Sequence, residues 1–213
     1  MMDRGNFSHD GGAYGSADDD QPETSDRRRA DRYRAVCRIA RVRRRDDLGL
    51  WRVRNISDAG LMLAADVAVT VGERIEIALS ESITVAGTIV WAENGRCGVA
   101  FSEKIDAEAT LRRLAEEQLA EGYRALRLTV ASEAVLLLRD GARPIDLVDI
   151  SQSGAGFVYD REIEPGTMLD LLLPHGDLRR QALVRWSRGQ RGGLWFTQPL
   201  DRADLESIAR FEG

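Results

Sequence analysis

Two cysteines, Cys37 and Cys97, and two histidines, His9 and His175, are all that the 213 residues contain. Scattered singly, they assemble neither a four-ligand zinc site nor a disulfide framework. Their scarcity also removes most of the nucleophile–base pairs on which hydrolytic chemistry rests. The chain is therefore expected to be no enzyme and to hold no metal. No apolar run approaches the roughly 20 residues that a membrane span needs. Met1 to Asp10 shows no charged stretch followed by an apolar one, so no secretory signal is read there and a cytoplasmic place is expected. What remains, 43% hydrophobic and 31% charged, is the composition of a globular protein. The length suits two small domains better than one large one.

Lysine is nearly missing too: Lys104 is the only one among 30 basic residues. The net charge of −5 hides a strong asymmetry. Residues 1–26 hold seven acids and one base, Arg4, a balance of −6 that leaves +1 for residues 27–213. That Gly-, Ser- and Asp-rich stretch has too little apolar surface to fold and is expected to be a disordered acidic tail. Residues 27–54 then carry 12 arginines against Asp31, Asp46 and Asp47. The planar guanidinium fork suits phosphates and guanine edges. Arg43–Arg45 reads as a solvated hairpin tip.

From Arg27 onward the apolar spacing is mostly two, the period of a strand. Trp51 and Val53 alternate with Arg52 and Arg54, and Ile75, Ile77 and Leu79 with Arg74, Glu76 and Ala78. Ile83, Val85, Gly87, Ile89 and Trp91 are expected on one face of a further strand. Asn94-Gly95 is a two-residue hairpin signal, since both residues tolerate positive φ. The period changes at Asp106, a suitable N-cap. Leu111, Leu114, Ala115, Gln118 and Leu119 follow helical spacing up to Gly122. This helix is expected to close one barrel and lead to the next.

The chain then repeats itself. Asn55-Ile56-Ser57-Asp58-Ala59-Gly60 returns as Asp149-Ile150-Ser151-Gln152-Ser153-Gly154, an offset of 94. Gly72 matches Gly166 at the same offset, and Trp91, Gly98 and Phe101 match Trp186, Gly193 and Phe196 at 95. A period this long marks a tandem of domains, not a solenoid. The expected architecture is mainly β: two tandem six-stranded antiparallel barrels, each followed by a short α-helix, behind the acidic tail. The expected boundaries are 1–26 for the tail, 27–105 for the first barrel, 106–122 for the helix and 123–213 for the second barrel. A C-terminal helix is expected at about 201–211. Trp51, Trp91 and Trp186 are expected in the core or closing the barrels.

Arg28-x-x-x-Arg32, then Asn55-x-Ser57-x-x-Gly60 beginning 23 residues after Arg32, resembles the paired signature of the PilZ family. Gly87-x-Ile89-Val90-Trp91 and Gly98-Val99-Ala100-Phe101 are also similar to that family. The resemblance implies a six-stranded barrel that binds cyclic di-GMP and passes the signal to a partner. It implies Arg28, Arg32, Asn55, Ser57 and Gly60 as the ligand residues, with Arg27 and Arg29 as auxiliaries. The chemistry is suitable. One arginine can bond guanine O6 and N7 or stack on a base, and a second can hold a phosphate. Short polar groups at Asn55 and Ser57 can bond a base edge or ribose, and Gly60 permits close backbone approach.

The second repeat keeps Asp149, Ser151 and Gly154, with Arg127 at 22 residues before Asp149. The position four before Arg127 is Tyr123, so its arginine pair is incomplete. This unit is read as a degenerate site that offers a surface to a partner or to the other barrel. The whole is expected to be a receptor and adaptor with no cofactor beyond the ligand cyclic di-GMP. Its unidentified protein partner belongs to motility, polysaccharide or regulatory machinery. An arginine-rich binder of polyanions or nucleic acid, and a silent protein-interaction module, remain as alternatives. The acidic tail and near-neutral body speak against nucleic acid.

Overall fold

A computed structural model of the chain describes residues 38–174 and 178–211. The first unit is a closed barrel of six antiparallel strands: β1 (Arg38–Arg43), β2 (Leu48–Ser57), β3 (Gly60–Ala64), β4 (Arg74–Ala78), β5 (Thr84–Glu93) and β6 (Arg96–Phe101), paired in the order β1-β2-β3-β6-β5-β4. After α1 (Ala107–Leu119) comes the second: β7 (Leu128–Leu138), β8 (Gly141–Ser151), β9 (Gly154–Val158), β10 (Met168–Leu172), β11 (Arg179–Arg188) and β12 (Arg191–Phe196), paired as β10-β11-β12-β9-β8-β7. Closure leaves neither barrel an open edge. The expected tail and the start of the arginine-rich segment, through Cys37, lie outside the described residues.

Alternation builds the cores. Trp51, Val53 and Ile56 of β2 and Ile75 and Ile77 of β4 point inward with Ala40, Val42, Leu63, Ile89 and Val99. Asn94 and Gly95 take φ of 49° and 67°, the two positive values the tight β5–β6 hairpin demands. The expected single face of β5 breaks before its end. A bulge between Ile89 and Trp91 adds one residue, so Val90 and Trp91 both reach solvent. Of the three tryptophans expected inside, only Trp51 is buried. Trp91 is 40% and Trp186 50% exposed, the latter after the matching bulge between Val184 and Trp186.

The Arg43–Arg45 tip is also not uniformly solvated. Arg44 folds back, its Nε and Nη2 donating to the two carboxylate oxygens of Glu73 at 2.7 and 2.9 Å, with its guanidinium 5.9 Å from the Trp51 ring centre. The pairing lowers the Glu73 carboxyl below its ordinary range.

Asp106 caps α1, its Oδ1 accepting from the Ala109 amide at 2.8 Å. Leu114 enters the first core and Leu111 packs beside it, so the helix does close that barrel. Leu119, expected on the same face, is exposed. The helix expected at about 201–211 forms instead two 3-10 turns, Ala203–Leu205 and Ile208–Arg210. Ser207 is extended between them, at φ −149°. The Glu206 carbonyl accepts from Trp51 Nε1 at 2.8 Å instead of from the next turn, and Ser207 Oγ and the Ile208 amide donate to Asp47 Oδ1 at 2.8 and 3.2 Å.

Those bonds make a joint between the barrels. Leu48 and Leu50 of β2 are buried in the second barrel's core, and Ile39 packs against it. Gly49 lets the C-terminal chain close in: a Cβ there would lie 2.0 Å from the Glu206 carbonyl oxygen. Among the described residues no helix is long and apolar enough to cross a membrane.

Candidate functional site

The β2 bulge between Val53 and Asn55 sets the phase of everything after it, placing Asn55 and Ser57 on the outer face around the buried Ile56. Two rows of outward positions then run across the sheet. One is Asn55–Met62–Gly98–Trp91 across β2, β3, β6 and β5; the other is Ser57–Gly60–Ala100–Thr88. Between them lies a cleft of about 290 Å³ lined by Asn55, Ser57, Gly60, Met62, Trp91 and Ala100, among others. Three residues expected from the sequence are thus brought together on one face.

Each has a definable local role. Ser57 Oγ donates to the Gly60 carbonyl at 3.1 Å, so its proton is committed to the turn and its lone pairs remain for a ligand. A Cβ on Gly60 would meet the Val99 carbonyl oxygen at 2.2 Å, so the glycine is required by close approach of β6, not by a positive φ. Asp58 in the same turn holds α1: its Oδ1 accepts from the Ala107 amide at 3.0 Å and its carbonyl from the Ile105 amide at 2.9 Å. The Trp91 indole lies against Gly98 and is 40% exposed. Arg27, Arg28, Arg29 and Arg32 fall outside the described residues.

The second barrel carries the same rows with other chemistry: Asp149–Gly156–Gly193–Trp186 and Ser151–Gly154–Trp195–Leu183. Ser151 Oγ again donates to the Gly154 carbonyl at 3.1 Å. Asp149 and Arg127 form a direct ion pair, and the Asp149 carboxylate lies over Gly156, 2.6 Å from where a Cβ would stand. The arginine that survives in this repeat therefore already has its anion. Trp195 occupies the position of Ala100, so the place of the cleft is filled by an indole that is 47% exposed.

The PilZ domain profile matches residues 26–117 and again 123–212. The chain belongs to the PilZ domain family. Among solved structures, this PilZ protein is similar to PlzA of Borreliella burgdorferi in complex with c-di-GMP, at 12% identity over 76% of this chain and 81% of that one, TM-score 0.33. It is also similar to YcgR of Escherichia coli in complex with c-di-GMP, at 13% identity over 76% of each chain, TM-score 0.28. Similarity extends to MotI/DgrA, the inhibitor of motility of Bacillus subtilis, at 12% identity over 78% and 90%, TM-score 0.29. A search of curated proteins finds no significant match.

Reading the PilZ sequence in single strands misses Met62, Trp91 and Ala100 as lining residues. The adjacent apolar pair Val90-Trp91 signals a broken alternation, and setting the repeats side by side shows Ala100 against Trp195. Cys97 adds no reactivity: burial pushes its thiol up to about 11.

Proposed function

We propose that the first barrel is a receptor for cyclic di-GMP and that the whole chain relays the ligand to a protein partner without catalysis of its own. The observation that carries this reading is the open cleft joining Asn55, Ser57 and Gly60 to a backbone-supported indole, set in a barrel of the PilZ family. The ligand brings two guanines and two phosphates. Trp91 offers a stacking face for one guanine, and Asn55 and the Ser57 lone pairs accept or donate at its edge or ribose. Arg28 and Arg32, from the segment before β1, are assigned one to a phosphate and one to guanine O6 and N7, with Arg27 and Arg29 as auxiliaries.

The second barrel is the silent half. Arg127 is neutralised by Asp149, and Trp195 takes the room a base needs. In this reading the bound dianion draws the arginine segment onto the first face, and the partner receives the changed surface. That shift needs a difference in affinity between the free and held segment, which the arginine contacts provide.

Calorimetric titration of the full chain with cyclic di-GMP, GTP and a short oligonucleotide tests the reading. Saturable binding of cyclic di-GMP alone is expected. Binding of the oligonucleotide with a steep salt slope, and no preference for cyclic di-GMP, would establish the polyanion reading in its place.

A further inference from the structure

The outer face of β11 and β12 differs in chemistry from the corresponding face of the first barrel. Its rows stack along one side: Arg188 opposite Arg191, then Trp186 across Gly193, then Trp195 between Leu183 and Gly154, with Met168 beyond Leu183 on β10. Trp186, Trp195 and Met168 are exposed. The corresponding first-barrel positions are Glu93 opposite Arg96, Trp91 across Gly98, and Ala100 beside Thr88, with Arg74 beyond. Where the first barrel has an opposite-charge pair the second has two arginines facing each other, and in place of Ala100, Thr88 and Arg74 it has the apolar row Trp195, Leu183 and Met168.

Like charges directly opposite on a sheet repel. Arg188 and Arg191, together with Arg185 in the bulge, are exposed and have no ion pair or hydrogen bond among the described residues. An apolar centre of tryptophan, leucine and methionine rimmed by unpaired arginines is the composition of a protein-contact surface. Its occupant must be acidic and carry apolar side chains.

We propose that residues 1–26 of the same chain dock on this face. The segment has net charge −6, with Asp18, Asp19, Asp20, Glu23 and Asp26 close together and Met1, Met2, Phe7 and Tyr14 ahead of them. Its tether begins beside the second barrel: Ile39 packs against that barrel's core, and Arg41 Nη1 donates to the Arg127 carbonyl at 3.1 Å. The β12 strand lies three strands from β7 in either direction, a lateral path of about 14 Å. The chain from Asp20 to Arg38, extended, spans about 60 Å, so reach is no obstacle. Tethering keeps the segment at an effective concentration of roughly millimolar, enough for weak contacts to hold it. Docked, it supplies the anions that Arg188 and Arg191 lack and covers an apolar face that invites association. The inference is independent of the cyclic di-GMP site.

The test uses the full chain with Cys37→Ser and Ser16→Cys, nitroxide-labelled at residue 16; the buried Cys97 stays unlabelled. Broadening of the Trp186 and Trp195 indole N–H resonances is expected at low salt, with Trp51 sharp. It should fade at high salt, where screening is strongest, and in the Arg188→Gln/Arg191→Gln variant. Unbroadened Trp186 and Trp195, whether the segment stays free or pairs with Arg27–Arg34, would overturn the proposal. So would broadening that survives the double arginine substitution, or broadening centred on Trp91.

Discussion

The Trp91 indole lies across Gly98 so closely that a Cβ there would come within 1.9 Å of Nε1. The second barrel repeats the contact at Trp186 and Gly193, where the distance is 2.2 Å. The glycine removes the side chain that would otherwise stand between two strands, and the backbone becomes a floor for the ring. Gly98→Ala should lift Trp91 and weaken cyclic di-GMP binding by about 1–3 kcal/mol, the range of one base–aromatic stack. Gly193→Ala should leave binding unchanged. Calorimetry on both variants separates a stacking platform from a purely structural pair.

Arg28→Ala and Arg32→Ala should each reduce affinity at least about tenfold, the loss of a charge-assisted bond of roughly 1.5–3 kcal/mol. Thermal melting of the same variants should match that of the parent, because both residues precede β1, the first strand of the barrel. Binding by the double variant at parental affinity would remove the arginine segment from the site.

Asn55→Ala should cost binding only, by roughly 0.5–1.5 kcal/mol. Ser57→Ala should lower the melting temperature as well, since its hydroxyl ties the turn through the Gly60 carbonyl. Gly60→Val must push β6 away at the Val99 carbonyl and should damage both folding and binding. A melting curve and a titration on each variant distinguish the three outcomes.

Leu50 sits on a strand of the first barrel and is buried in the core of the second. Leu50→Ala should destabilise the chain by about 2–5 kcal/mol and leave one cooperative transition. Two separated transitions in calorimetric unfolding of the parent would show that the joint does not couple the barrels. The same contact makes separate halves poor reagents, because cutting at α1 would expose Leu48 and Leu50.

Burial raises the Glu206 carboxyl above its ordinary value, against the opposing hydrogen bond from the Asp66 amide. A folded-state pKa above the unfolded one means that the native state holds the proton more tightly. Its contribution to stability is present at low pH and is lost as pH rises through the raised value. Glu206→Gln keeps an acceptor for the Asp66 amide and removes the charge. Its melting temperature relative to the parent should therefore climb as pH rises above the ordinary glutamate pKa of about 4.3. A pH-independent difference would mean that the carboxylate is not strained at the joint.

The repeat, the strand period, the Asn94-Gly95 hairpin and the capped α1 were all legible in the residues, because each rests on local spacing or on a single backbone preference. The Asn55, Ser57 and Gly60 cluster was legible too, as a motif with a definite phase. Bulges were legible only in part. One extra residue at Ile89–Trp91 and at Val184–Trp186 turns each tryptophan from the expected core face to the outside; the adjacent pair Val90-Trp91 marks the first slip, but Val184-Arg185-Trp186 keeps its alternation and carries no mark of the second. Arg44 turned inward because Glu73, 29 residues on, and Trp51 were there to receive it. The C-terminal helical spacing lost to the joint for the same reason: Trp51 and Asp47 bond the backbone and side chain of residues more than 150 positions away. Local periodicity decided which segments became strands. Which face each tryptophan took, and which repeat kept an open cleft, was decided by partners that only closure of the barrels brings within reach.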